Sequence, residues 1–267
     1  MSPVITLLTD FGYRDGYVGV MKGLIAGICP TAHLIDLTHD IPPQNLAAAR
    51  FTLLNAYSYF PEGTVHLVVV DPGVGTARRA IAVQTSQSYL VGPDNGVLSG
   101  VLDSASIIKV VELTESKFWR SPQPSQTFHG RDIFAPVAAH LANGVALSDL
   151  GEPIALDSLL RIAIPQPQIT QGKIVGCAQH IDHFGNIITN ISAVAVSQSA
   201  WKMQVGAVEM PLGRTYGEVE VGHAIAVIGS HGWVEIAVNG SSAHARLRLA
   251  IGDAVQLIAT SPSAEQR

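Results

Sequence analysis

Charged side chains are scarce in this 267-residue chain, at 14%, and no run of Lys and Arg appears in it. With a formal net charge of −5 it lacks the basic surface that nucleic acids and anionic membranes require. Cysteine is nearly absent. Cys29 and Cys177 stand in apolar surroundings, which excludes a disulfide framework and reads as two buried free thiols. No apolar run is long enough to span a membrane. Met1 to Thr9 shows neither the charged region nor the cleavage site of a secretory signal. Internal repeats and low-complexity tracts are missing too. The expectation is a soluble cytoplasmic protein, with a polar tail, Ser261 to Arg267, that frays.

What is present is apolar. Hydrophobic residues make up 47% of the chain, enough for one large domain or two smaller ones. So apolar a composition also suggests that other subunits cover part of the surface. Val4–Thr9, His33–Leu37, Val65–Val70, Ala80–Val83 and Ser88–Val91 read as strands. Gly16–Ile28, Leu46–Tyr59 and Arg131–Leu141 read as helices, the first two stopped by Pro30 and Pro61. Strands alternating with helices predict an α/β domain with a central, mostly parallel sheet. After Pro165-Gln166-Pro167 the texture changes to short β-rich runs at Lys173–His180, Ala224–Ile228, Val234–Val238 and Ala254–Ala259. These predict a small antiparallel β-barrel. The expected division is residues 1–167 and 168–267.

Ligands in α/β folds bind beyond the carboxyl ends of strands, and here the loops after strands carry carboxylates. Asp10-Phe11-Gly12 follows the first strand, His39-Asp40 the second, and Asp71-Pro72-Gly73-Val74-Gly75 the third, with Arg78 and Arg79 close behind. The glycines fit no phosphate-binding fingerprint. His129-Gly130-Arg131-Asp132 opens the third helix, where Asp132 suits the helix N-terminus electrostatically. Asp10, Asp15, His39, Asp40, Asp71, His129 and Asp132 are residue types that bind Mg, Mn or Zn, but no compact metal motif joins them, and no metal or other cofactor is expected. In the second half, Phe184 is suited to stack on a flat ring and Asn186 to hydrogen-bond its edge.

Leu8-Thr9-Asp10-Phe11-Gly12, Thr38-His39-Asp40-Ile41-Pro42-Pro43-Gln44, Val70-Asp71-Pro72-Gly73-Val74-Gly75, Phe128-His129-Gly130-Arg131-Asp132, Asp182-His183-Phe184-Gly185-Asn186 and the stretch Gly229 to Gly240 together resemble the SAM hydroxide adenosyltransferases, relatives of the fluorinase and chlorinase enzymes. The resemblance runs through nearly the whole chain, in order. It implies hydrolysis of S-adenosyl-L-methionine (SAM) to adenosine and methionine, without a cofactor, in a homotrimer with sites at subunit interfaces. It assigns catalysis to Asp71, Arg78 and His129, the spacing favouring Arg78 over Arg79, and the ribose diol to Asp10. Phe184, Asn186 and the backbone near Val238 and Gly240 correspond to the adenine pocket, and Asp15, Asp182 and Ser230 to methionine contacts. His231 stands where halogenating relatives carry an Arg.

These residue types suit an attack on C5′. The leaving group is a neutral thioether, so the difficult component is water, whose bulk pKa is about 15.7. Arg78 cannot act as a base, but it can stabilise developing hydroxide. Either Asp71 or His129 is able to accept the proton. A carboxylate beside the histidine would also fix its tautomer. Two other readings compete: a metal-dependent phosphoester or nucleotide hydrolase, and a non-catalytic SAM- or adenosine-binding protein.

Overall fold

The computed structural model describes residues 2–196 and 200–260, so the tail expected to fray lies outside the described residues. The chain divides into two units, Met1–Ile162 and Ala163–Arg267.

In the first unit the order is β1 (Val4–Thr9), α1 (Tyr17–Ile28), β2 (His33–Thr38), α2 (Leu46–Ala56), β3 (Thr64–Val69), β4 (Ala80–Thr85), β5 (Ser88–Pro93), α3 (Ser99–Ser104), β6 (Ile107–Glu112), α4 (Ala135–Ala142) and β7 (Glu152–Pro153). The sheet runs β2-β1-β3-β5-β4-β6-β7. Its β2-β1-β3-β5 half is parallel, and β4, β6 and β7 add antiparallel pairs. The change follows from connection length. Helices link β1, β2 and β3, and β3 reaches its parallel neighbour β5 by way of β4, whereas only Ser86 and Gln87 separate β4 from β5, which permits a hairpin and no crossover.

Strand β3 shows why these runs lack polar alternation. Val65, Leu67 and Val69 pack with Met21, Ile25 and Phe134 on one face. Val68 and Val70 pack with Ala49, Leu53 and Val101 on the other. Helices cover both faces, so every position is apolar except those given a buried partner. His66 is such an exception: fully buried, its Nδ1 lies 2.8 Å from the Thr6 hydroxyl. Burial pushes its pKa down to about 4.

The second unit contains β8 (Gln168–Thr170), β9 (Lys173–Ile181), β10 (Ile187–Ser192), β11 (Trp201–Val205), β12 (Val208–Gly213), β13 (Ala224–Ile228), β14 (Trp233–Val238), α5 (Ala243–Leu247) and β15 (Ala254–Ala259). Pairing of β9 with β10 closes a seven-stranded barrel, β9-β10-β14-β13-β12-β11-β15, and β8 extends β9 outside the ring. Six of the seven ring pairs are antiparallel. The pair β12–β13, joined through the turn at Tyr216–Glu218, is parallel. Ile174, Ile187, Met203, Ile236 and Leu257 fill the interior. Among the described residues no helix is long and apolar enough to cross a membrane.

Candidate active site

The parallel order places the carboxyl ends of β2, β1 and β3 side by side. Register shifts between Leu7 and Leu8, at the end of β1 that feeds Asp10. His39 then holds the Asp10 loop from both sides. Its Nδ1 lies 2.7 Å from the Thr9 hydroxyl, which accepts from Phe11 N–H at 3.2 Å, and its carbonyl accepts from Gly12 N–H at 2.8 Å. His39 Nε2 stands 3.0 Å from Asp36. Thr9 and His39 are too buried for a substrate to reach, so this Thr–His–Asp series orders a loop and presents no nucleophile. The Asp10 carboxylate accepts from Gln44 N–H at 2.7 Å, and Gln44 takes a left-handed φ of 64°. A non-glycine residue held there stores strain, which concentrates at ligand loops.

Asp71 leaves the end of β3, where the Asn95 amide caps the Val70 carbonyl at 2.9 Å. The loop then turns back through Gly75, whose φ is 77°. A Cβ there would run into the Gln126 carbonyl, so only glycine lets the 71–78 loop lie against the segment leading to His129. Arg78 Nε donates to both Asp71 oxygens at 3.0 Å, and Nη2 donates to Oδ2 at 2.5 Å. The same Nη2 lies 2.7 Å from His129 Nδ1. The guanidinium also rests over the Phe134 ring, 5.2 Å from its centre.

These contacts determine the protons. Arginine only donates, so His129 Nδ1 accepts and its proton sits on Nε2. Arg78, not a carboxylate, sets the tautomer. That corrects the expectation that Asp71 would do so: the guanidinium stands between the two. Burial first, and Arg78 second, push the His129 pKa below the usual value, against the opposing charges of Asp71 and Asp132. His129 is therefore neutral at pH 7, and its buried Nε2 has no protein partner among the described residues. His129 itself heads a single π-helical turn, Gly130–Phe134, leading into α4. Such turns cluster at functional sites.

Two neighbouring charges have other duties. Arg79 donates to Asp94 at 2.9 and 2.6 Å and to the Ser158 carbonyl at 2.5 Å, facing away from Asp71. Asp132 is fully buried among Arg120, Arg131 and Ser125 N–H. It stands in the first turn of the helical segment Gly130–Phe134, where the sequence suggested a favourable charge, and it also pins the segment before His129. Its donors hold the carboxyl far below the usual range despite burial.

A cleft of about 390 Å³ opens over this arrangement, lined by Asp10, Gln44, Asp71 and His129 among others. Phe11, Tyr17 and Phe128 form one wall. Their ring centres lie 5.1–5.7 Å apart with edges tilted into faces. Among the described residues no group of three or more His, Cys, Asp or Glu is placed to hold a metal ion.

The barrel unit has its own cleft of about 720 Å³. Asp182, Phe184, Asn186, Ser230, Val238 and Gly240, all singled out from sequence, line it together. Phe184 projects from the β9–β10 turn, 75% exposed. Asp182 accepts from Asn186 N–H at 2.8 Å and from the side-chain amide at 3.0 Å, which orients that amide. Tyr216, His231 and Glu235 line it as well.

Asp15 is the residue that the structure does not bring in. It lies on an exposed bend before α1 and lines neither cleft. Sequence reasoning also missed Tyr17, Gln44, Tyr216 and Glu235. Gln44 closes a quoted motif, and Glu235 sits within another, so the signal was present without a role. Tyr17 and Tyr216 carry no local signal.

The family model for the SAM hydroxide adenosyltransferase N-terminal domain matches residues 5–151, and that for the C-terminal domain matches residues 176–256. A protein of Thermus thermophilus named (R)-S-adenosyl-L-methionine hydrolase is 40% identical over 266 residues, covering 97% of this chain and 100% of its own. One of the same name from Salinispora tropica is 38% identical over 262 residues, covering 97% and 98%. A crystal structure of an uncharacterized conserved protein from Thermotoga maritima superposes with a TM-score of 0.89 at 37% identity, covering 95% of this chain and 99% of that one.

Proposed function

The chain belongs to the SAM hydroxide adenosyltransferase family, and on that premise we propose that it hydrolyses SAM to adenosine and methionine by attack of water or hydroxide on C5′, using Asp71, Arg78 and His129. The observation that carries the residue assignment is the Asp71–Arg78–His129 chain beside the cleft, with a single unpartnered N–H at His129 Nε2.

In that chain His129 is a donor. Its Nε2–H meets a lone pair of the nucleophilic oxygen and leaves another for C5′. Asp71 lines the cleft and accepts a proton from the same water. Arg78 supplies the positive charge that stabilises hydroxide character as the C5′–O bond forms and the C–S⁺ bond breaks. Arg78 and Asp71 side chains are 8% and 5% exposed, so little water screens them. Sulfur leaves with the electron pair as neutral methionine, and the proton passes by Asp71 to solvent. No metal or other cofactor enters this step.

Asp10 accepts from the ribose diol. Phe184 stacks on adenine, and Asn186 with the backbone near Val238 and Gly240 reads its edge. Asp182 and Ser230 serve the methionine end. The first unit is thus the catalytic domain, and the barrel contributes substrate contacts. The partner is a small molecule, with no nucleic acid or membrane involved, and the protein acts in the cytoplasm. Assembly as a homotrimer with composite sites is part of this proposal, supported by the family and by the apolar composition.

Incubation with SAM followed by chromatography tests the function: adenosine and methionine should appear in equal amounts, at a rate unaffected by chelator. Loss of activity in chelator, restored by a divalent metal, would favour a metal-dependent hydrolase instead. For the assembly, a mixture of Asp71→Ala and Phe184→Ala chains should recover part of the lost activity. A fully active monomer by light scattering rules the trimer out.

A further inference from the structure

Glu235 is 4% exposed at the base of the barrel cleft, and both its oxygens are engaged. Tyr216 donates its phenol proton to Oε1 at 2.7 Å, and His231 Nε2 lies 3.1 Å from Oε2. His231 Nδ1 accepts from Trp233 N–H at 3.1 Å, so the ring proton is on Nε2 and points at Glu235. A side chain at Gly229 would stand 2.5 Å from the imidazole, so glycine at that position lets His231 fold back onto the carboxylate. Donation to Glu235, followed by burial, pushes the Tyr216 phenol up to about 12, which keeps it a donor.

Glu235 is thus a buried carboxylate whose two oxygens are each held by a side-chain donor of the cleft. The described residues lining either cleft include neither Lys nor Arg. Among the described residues that line the barrel cleft, His231 is the one imidazole, and its Nδ1 and Nε2 face Trp233 N–H and Glu235. Asp182 adds a second carboxylate to that cleft. A buried carboxylate of this kind attracts a cationic group and repels an anionic one.

Resting on the SAM-hydrolase reading above, we infer that the protein recognises the amino-acid tail of its substrate by the ammonium rather than the carboxylate, and that decarboxylated adenosyl sulfoniums carrying an aminoalkyl chain are a further class of substrate. Their reaction balances in the same way. Water adds to C5′, the C–S⁺ bond breaks, the sulfur becomes neutral by keeping the electron pair in a thioether that retains its ammonium, and one proton goes to solvent.

The test compares kcat/KM of the wild-type protein for SAM, for decarboxylated SAM, and for an analogue that keeps the carboxylate but carries hydrogen in place of the amine. Decarboxylated SAM is expected within about tenfold of SAM, and the deaminated analogue at least a hundredfold below. Glu235→Gln should raise KM for both amine-bearing substrates about tenfold while kcat changes little, and Tyr216→Phe should shift KM in the same direction. If the deaminated analogue equals or exceeds decarboxylated SAM, the inference is overturned while SAM hydrolysis stands. If SAM itself yields no adenosine, the functional reading falls and takes the inference with it. The ranking of the three substrates needs no variant, so it stands even if Glu235→Gln fails to fold.

Discussion

The two clefts are built on opposite principles. In the α/β unit, Asp71, Arg78 and His129 are buried, paired with one another and braced by Phe134. In the barrel, Phe184 stands three-quarters exposed on a turn, beside an Asn186 amide oriented by Asp182. A group that must stabilise charge appearing only in the transition state works best where water is excluded and nothing has to reorganise. A platform for a flat ring needs only an accessible face. The contrast separates turnover from binding, and the variants below are expected to respect it.

The largest effect should come from Arg78→Ala. Turnover should fall about a hundred- to a thousandfold while SAM still binds, because the lost interaction belongs to the transition state. Arg78→Lys should recover only part of this, since an ammonium cannot contact Asp71 and His129 through a planar fork. A matching rise in Kd for Arg78→Ala, measured by calorimetry, would erase the distinction between the clefts.

Acid should distinguish the units next. Burial lowers the pKa of His66, His129 and His140 in the α/β unit, and of His180 in the barrel. For His66 the folded value is about 4 against 6.5 when unfolded. The unfolded chain therefore binds more protons between those values. The stability from keeping the ring neutral is complete above pH 6.5 and lost as pH falls towards 4, about 3 kcal/mol at most. Denaturant melts at pH 7 and pH 4 should show this loss, with the α/β unit unfolding first, and His66→Gln should flatten the dependence.

Arg79→Ala should lower stability by about 2–3 kcal/mol, since it leaves Asp94 buried without its partner. Well below its melting temperature the variant should keep turnover. Phe184→Ala comes last. Adenosine binding should weaken by about 1 kcal/mol from the lost ring contact, with almost no change in melting temperature because the ring is exposed. A large loss of stability there would show that Phe184 packs and does not merely present a face.

Legibility in the sequence followed the same contrast. Strands β1 and β3 were readable because apolar runs covered on both faces end at a carboxylate and a turn. Strand β12 was not, because it contains Pro211. In the fold Pro211 sits opposite Lys202 of β11, and pairing with β13 starts only at Leu212, so its missing N–H interrupts no ladder on that side. Strands β6 and β11 mix Lys with apolar residues and carry no closing signal. At the site, Asp71, Arg78 and His129 could be named, but the tautomer could not. It depends on which side chain reaches Nδ1 across 51 residues of chain. Asp15 was named and stays outside, because its bend turns it to solvent.

The measurement that bears most directly on the account is a single turnover in ¹⁸O-water, with enzyme in excess over SAM and chelator present. Direct attack of an Arg78-stabilised water places the label in the 5′-hydroxyl of adenosine during the first turnover, and that is the expected result. Unlabelled adenosine, with ¹⁸O appearing in Asp71 by mass spectrometry of its peptide, would mean that the carboxylate attacks C5′ and its ester is hydrolysed, contradicting the mechanism drawn from the Asp71–Arg78–His129 chain.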